Sequence, residues 1–279
     1  MYPKSFQKIS LVILSFILFL YPGSLAAQGG PWVQVDEGLF VGEFVSQKSA
    51  VGDSKILIIK IDPQFYSFKL LCASEQNHAN LTAKEWCQKY KLIAAINAGM
   101  FQPDYKSNVG YMKNYAFINN PRISPKYHSV AAFSPMDGSK PEFRIYDIDE
   151  ENMQQIINNY HIVIQNLRLI KRPAQNRWSK QSKKWSEAAL GEDKAGNVLF
   201  IFSRSPFSMQ DFNNILINLP IDIVCAQHLE GGPEASLYFR HNHKEIEAIG
   251  SYETGFNEND DNRSYWPIPN VIGFVKKKR

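Results

Sequence analysis

Between Asn197 and Ala226 the chain reads strand, helix, strand. Asn197–Phe202 is apolar and follows a turn at Ala195-Gly196. Ser208 then stands three residues ahead of Asp211, an N-cap pattern, and Met209, Phe212, Ile215, Leu216 and Leu219 recur at helical spacing until Pro220 stops the helix. A second apolar run, Ile221–Ala226, follows at once. Such a unit suggests a right-handed crossover between parallel strands. It delivers Gln227-His228-Leu229-Glu230-Gly231-Gly232-Pro233 to a strand's carboxyl end, where sheets with helical crossovers place ligands. The expected class is α/β with α+β character: a mixed sheet flanked by helices.

The rest of the chain extends this pattern. Leu39–Phe44, Lys55–Ile61 and Tyr66–Leu71 read as strands, with a turn at Asp62-Pro63. Thr82 and Glu85 form a capping box for a helix whose apolar face is Ala83, Trp86, Cys87 and Tyr90. Leu92–Ile96 is a short buried strand ending at Asn97-Ala98-Gly99-Met100-Phe101. Tyr115–Ile118, Val130–Phe133, Phe143–Tyr146, His161–Gln165 and Ala188–Gly191 are further strands. The organisation expected is a signal peptide over 1–26, a lead-in with one strand over 27–54, a single domain over 55–275 and a basic tail over 276–279.

The N-terminal expectation comes from Lys4 and Lys8, the apolar run Leu11–Leu20, the breaker Tyr21-Pro22-Gly23 and the small residues Ser24 and Ala26. The apolar run is too short for the roughly 30 Å of bilayer hydrocarbon, so cleavage after Ala26 or Ala27 is expected, giving a periplasmic or secreted protein without a stable membrane anchor. An oxidising compartment makes a Cys72–Cys87 disulfide conceivable, while Cys225 reads as an inert buried thiol. The formal charge of +4 does not argue for nucleic acid. Lys4, Lys8 and the four residues Lys276–Arg279 supply six of 31 basic residues, leaving 25 against 27 acidic ones in the body. The tail reads as solvated.

Glu230 and Glu234 flank a Gly-Gly pair, which lets backbone approach a ligand. Carboxylates sharing a pocket can divide acid and base roles. His228 adds a group that titrates near neutrality, and Asn97 with Gly99 is a polar strand end of the kind that meets ligands. Arg204, between a strand and a helix N-terminus, is placed to bind a carboxylate or phosphate. His241 and His243 lack a third metal ligand, and Ser208 and Ser236 lack evident His and Asp partners.

Three ordered segments resemble the phosphodiester glycosidase, or uncovering-enzyme, family. They are Ile96-Asn97-Ala98-Gly99-Met100-Phe101, Trp185–Gly191 with Gly196–Phe200, and Leu229-Glu230-Gly231-Gly232. The resemblance implies a hydrolase of sugar-1-phosphodiesters or related envelope or extracellular glycans, with relatives connected to exopolysaccharide. It places Glu230 as acid or base, Glu187, Glu234 and His228 as further catalytic groups, and Asn97, Gly99, Arg204, Gly231, Gly232 and Ser236 on the substrate. Glu187 stands where the family has Arg, Ala188 where it has Thr, Glu230 for Asp, and Pro233-Glu234-Ala235 for Gly-Ser-Ser. Losing the Arg removes the natural partner of a phosphodiester. Arg204, His228 or Lys184 would then supply positive charge, or a divalent cation held by the glutamates would do so. No cofactor is otherwise implied. The departures also leave open a non-catalytic glycan-binding protein and a carboxylate-dependent glycoside hydrolase or lyase.

Overall fold

A computed structural model describes residues 31–278. The expected signal peptide and its cleavage site lie outside these residues. The strands are β1 (Trp32–Asp36), β2 (Leu39–Val45), β3 (Lys55–Ile61), β4 (Tyr66–Cys72), β5 (Ala94–Asn97), β6 (Met112–Asn114), β7 (Phe117–Asn120), β8 (Ser129–Pro135), β9 (Phe143–Asp147), β10 (Tyr160–Asn166), β11 (Arg168–Lys171), β12 (Gln175–Asn176), β13 (Trp185–Asp193), β14 (Val198–Phe207), β15 (Ile223–Gly231), β16 (Ser236–His241), β17 (Lys244–Ile249) and β18 (Asn270–Lys276). The helices are α1 (Ala83–Tyr90), α2 (Met153–Asn159) and α3 (Met209–Asn218), and a 3₁₀ turn spans Gly232–Glu234.

The strands form three sheets, ordered β1-β2-β3-β14-β13-β15-β11-β12, β7-β6-β10-β8-β9 and β17-β16-β5-β18-β4. Each sheet turns one face to a common core, which draws Ile59, Phe68, Ile96, Phe133, Leu190 and Phe274 from all three. On its other face each carries one helix. Ala83, Trp86 and Cys87 of α1 pack with Ala95 and Tyr238, Ile156 of α2 packs with Val130 and Val163, and Phe212 and Leu216 of α3 pack with Ile58 and Ile201. Strands covered on both faces must be apolar at every position. That is why Lys55–Ile61 and Ala94–Asn97 read as runs rather than alternations. The fold is α+β and mainly sheet.

The helix caps follow the sequence. Thr82 and Glu85 close a complete capping box, and Ser208 Oγ accepts the Asp211 amide at 3.1 Å. The crossover expectation needs correction. β14 and β15 run in the same direction but are not neighbours, because β13 lies between them and pairs antiparallel with both. β1 and β2, at Trp32–Asp36 and Leu39–Val45, join the same sheet as β3, and a loop over 46–54 leads into it. Lys276 pairs with Asp36 at 2.7 Å and Lys277 with Glu142 at 3.4 Å, surface ion pairs within the basic tail. The three cysteines are free. Cys72 faces the common core while Cys87, on α1, packs against the other face of the sheet, so the two thiols that the disulfide would join lie in different clusters. Among the described residues no helix is long and apolar enough to cross a membrane.

Candidate functional site

The β13–β15 ladder positions the chemistry. Glu187 and Ala189 lie two residues apart and share a face of β13. Ala189 pairs with His228 and Ala188 with Glu230, so Leu229 is an extra residue in β15. This bulge sends Leu229 into the common core and sets His228 on the face of Glu187. His228 Nδ1 lies 2.5 Å from Glu187 Oε1, and Trp185 Nε1–H donates to Glu187 Oε2 at 2.6 Å. With Glu187 ionised, both its oxygens accept, which puts an imidazole proton on Nδ1. Nε2 then offers its lone pair, and it has no hydrogen-bond partner among the described residues. Glu187 and His228 are each 3% exposed. Burial raises the Glu187 carboxyl above its ordinary range, against the opposing pull of His228 and Trp185.

Glu230 is also buried, and its carboxylate receives only its neighbour's Gly231 amide, at 3.0 Å. Burial pushes Glu230 well above the ordinary carboxylate range. The negative charge of Glu234 adds to this, the Gly231 amide opposes it, and Glu253 and Glu187 raise it further. Burial and Glu253 raise Glu234 as well. Glu253 is itself raised by burial, with His228 and Lys183 acting against the shift. Four carboxyl groups thus share one region, and among the described residues none of them is ion-paired to Lys or Arg. Among those residues no group of three His, Cys, Asp or Glu side chains is arranged to hold a metal ion.

The Gly-Gly pair acts through space as well as through conformation. A Cβ on Gly231 would lie 2.7 Å from the Trp185 ring, and one on Gly232 would strike Glu253 Oε2. Gly232 also has φ +65°, a left-handed value that suits glycine. Just below, Asn97 clamps the turn. Its Oδ1 accepts the Ser236 amide at 2.7 Å, and its Nδ2 donates to the Glu234 carbonyl at 3.0 Å. Ser236 Oγ donates to the same carbonyl at 3.0 Å.

The structure brings Glu187, His228, Glu230, Glu234, Gly231 and Gly232 into one region. The other four candidate residues have partners elsewhere. Asn97 and Ser236 spend their polar groups on backbone, so they shape the turn instead of offering groups to a substrate. Gly99 makes room for buried Asn108 and Asn166, whose amide atoms would lie 2.5 and 2.6 Å from a Cβ there. Arg204 turns away from the glutamates, binding the Ile249 and Asn262 carbonyls at 2.6 and 2.9 Å and the Asp260 carboxylate at 2.7 Å. It braces the segment 250–262 and supplies no cation to the site. Lys184, also considered as a cation source, is exposed, and its backbone bonds Thr254.

Two contributors escaped the sequence reading. Trp185 lay inside a quoted motif but offered no sign of its hydrogen bond to Glu187. Glu253 arrives on a segment tied to β13 by the Ser186–Tyr252 and Thr254–Lys184 backbone bonds.

A family model for phosphodiester glycosidases matches residues 90–275. Among solved structures, the catalytic domain of a zebrafish N-acetylglucosamine-1-phosphodiester alpha-N-acetylglucosaminidase, auto-inhibited by its pro-peptide, superposes with a TM-score of 0.59 at 13% identity, covering 90% of this chain and 87% of that one. A hypothetical protein from Synechocystis matches with a TM-score of 0.56 at 14% identity, over 90% of this chain and 65% of that one. No curated protein matches the sequence.

Proposed function

Because the chain belongs to the phosphodiester glycosidase family, a family of hydrolases, we propose that it cleaves a sugar-1-phosphodiester of an envelope or extracellular glycan after export. The observation that carries this reading is a buried Glu230, raised well above the ordinary carboxylate range by burial and Glu234, on the same strand as His228 of the Glu187–His228 pair. A neutral carboxyl presents a proton to the bridging oxygen between C1 of the sugar and phosphorus without repelling the phosphate. His228, with its proton on Nδ1 and Glu187 behind it, takes the proton of a water through Nε2 as that water attacks C1. The C1–O bond breaks, and the products are a free sugar and a phosphomonoester. Gly231 and Gly232 let Trp185 and Glu253 close on the strand end that carries Glu230.

The acid must be protonated for this chemistry, so the rate falls as pH rises through the Glu230 ionisation. The test is release of reducing sugar from a short-alkyl sugar-1-phosphodiester by purified protein. Glu230→Gln and His228→Ala should each lower kcat by about 10²–10⁴-fold. Full activity in both variants would remove these residues from the mechanism. A second reading, cleavage of a neutral glycoside by two of the carboxyls, draws support from the lack of Lys or Arg ion pairs in the site. A neutral aryl glycoside assayed beside the phosphodiester separates the two. Export itself rests on the pattern of residues 1–26, and an intact N-terminus on protein recovered outside the cytoplasm would contradict signal cleavage.

A further inference from the structure

Segment 250–262 carries more than Glu253. Glu253 and Asn257 exchange two backbone hydrogen bonds at 2.9 and 3.0 Å, closing a tight turn with Gly255 at φ +84°. Phe256 sits on this turn, its amide donating to the Glu253 carbonyl at 3.2 Å, and it is 63% exposed. In a turn so closed the first and fourth Cα atoms lie within about 7 Å, so Phe256 stands one turn from the carboxyl group that abuts Gly232. Trp266 meets it edge to face with ring centroids 6.1 Å apart, and it too is partly open to solvent.

The segment that carries the rings is braced. Arg204 binds carbonyls of the segment, Asn257 Nδ2 donates to the Ser251 carbonyl at 2.7 Å, and Asn262 Nδ2 donates to Gly250 at 2.7 Å. The Tyr265 hydroxyl, beside Trp266, donates to the Leu237 carbonyl at 2.9 Å. Two exposed aromatic rings on a braced frame cost little further ordering on binding.

From this we infer that Phe256 and Trp266 form a platform for a pyranose ring, extending the carboxylate site along an uncharged sugar chain. The inference rests on the glycan reading given above and names the class of glycan. Three features select that occupant. The axial C–H groups of a pyranose present a weakly positive face, which suits the negative face of an aromatic ring. In the flanking run Glu258, Asn259, Asp261 and Ser264 are exposed, and carboxylate, amide and hydroxyl groups are the natural partners of sugar hydroxyls. Between Gly250 and Ser264 the chain carries Glu253, Glu258, Asp260 and Asp261 against the one base Arg263, which disfavours a polyanionic chain. Two rings also fall far short of the roughly 800 Å² per partner of a stable protein interface.

The experiment is calorimetric binding to full-length Glu230→Gln protein, with cellotetraose and chitotetraose as neutral chains and tetragalacturonate as an anionic one. At least one neutral chain should bind. Phe256→Ala and Trp266→Ala, introduced separately, should each weaken it about tenfold, and Phe256→Tyr should restore it. Thermal midpoints of the variants check that they fold. The inference is overturned if neither neutral chain binds, if binding survives both alanine variants, or if tetragalacturonate binds more tightly. Wild-type turnover of the short-alkyl phosphodiester is measured in parallel. Its absence would count against the reaction assigned above, whereas the binding data speak to the platform alone.

Discussion

Asn97→Ala separates two roles that the sequence alone cannot distinguish. Read as a ligand contact, Asn97 would affect substrate binding and little else. In the structure it is 1% exposed, and both ends of its amide are committed to the turn after Gly232. The Glu234 carbonyl keeps the Ser236 hydroxyl when Asn97 is truncated, but the buried Ser236 amide loses the acceptor that Asn97 provides. A net hydrogen bond contributes about 1 kcal/mol, and an orphaned buried donor costs about 1–3 kcal/mol more. The expected loss is therefore about 3 kcal/mol, or about 6–12 °C in Tm for a chain of this length. Thermal unfolding by circular dichroism measures it. Hydrolysis should weaken mainly in kcat, because Glu234 and the glycine pair lose their footing while the substrate's own contacts stay. A variant with Tm within about 2 °C of wild type and a strongly raised KM would refute this reasoning and return Asn97 to the substrate.

Glu230→Gln tests the charge state of the cluster. A carboxyl raised in the folded protein is fully compatible with folding below its unfolded pKa, and stability is lost as pH rises from there through the folded value. The glutamine variant should thus match wild type near pH 4 and exceed it at pH 8 by about 1 kcal/mol or more, seen as a higher Tm. Gly232→Ala combines a φ of +65° with a collision against Glu253, so it should cost about 1–3 kcal/mol and depress kcat, measured by urea unfolding and by turnover. Arg204→Ala removes the brace on segment 250–262, so limited proteolysis should cut there faster while the rest of the chain resists. All three thiols should react with Ellman's reagent only after denaturation, since Cys72, Cys87 and Cys225 are free and buried.

What the sequence made legible was local. Caps at Thr82 and Ser208 are set by residues three apart, and the runs Lys55–Ile61 and Ala94–Asn97 are apolar because both faces are covered. The β16–β17 hairpin was missed although Lys244–Ile249 alternates. His241 and His243 drew the eye as metal ligands, whereas they flank the hairpin turn at Asn242, and His241 pairs with Asp36 at 3.0 Å. α2, at seven residues, is too short for periodicity to speak. The site was legible where one strand carried it, at His228, Glu230 and the glycines. It failed where a long-range partner decides the role. Arg204 is next to a helix N-terminus in sequence, yet its guanidinium closes on carbonyls 45 to 58 residues away. Glu253 acquires its meaning from Gly232, and nothing within its own segment announces that contact.

The other buried acids of this protein show what is unusual about the cluster. Glu192, 2% exposed, lies 2.6 Å from Arg172 and 3.1 Å from Arg144. Asp147, 8% exposed, lies 2.6 Å from Arg168. These two buried carboxylates are each given a guanidinium, because an unpaired buried charge costs several kcal/mol, and buried Asp193 is held instead by the Ala195 and Asn197 amides and the Asn197 side chain. Glu230 is equally buried and among the described residues is paired to no Lys or Arg, while Arg204, two strands away in the sheet, is spent on holding the segment that carries Glu253. A cation at Glu230 would hold its proton off, whereas neighbouring carboxylates hold it on. Burial and the surrounding carboxylates therefore favour the protonated form of Glu230, the form suited to giving a proton to a leaving group.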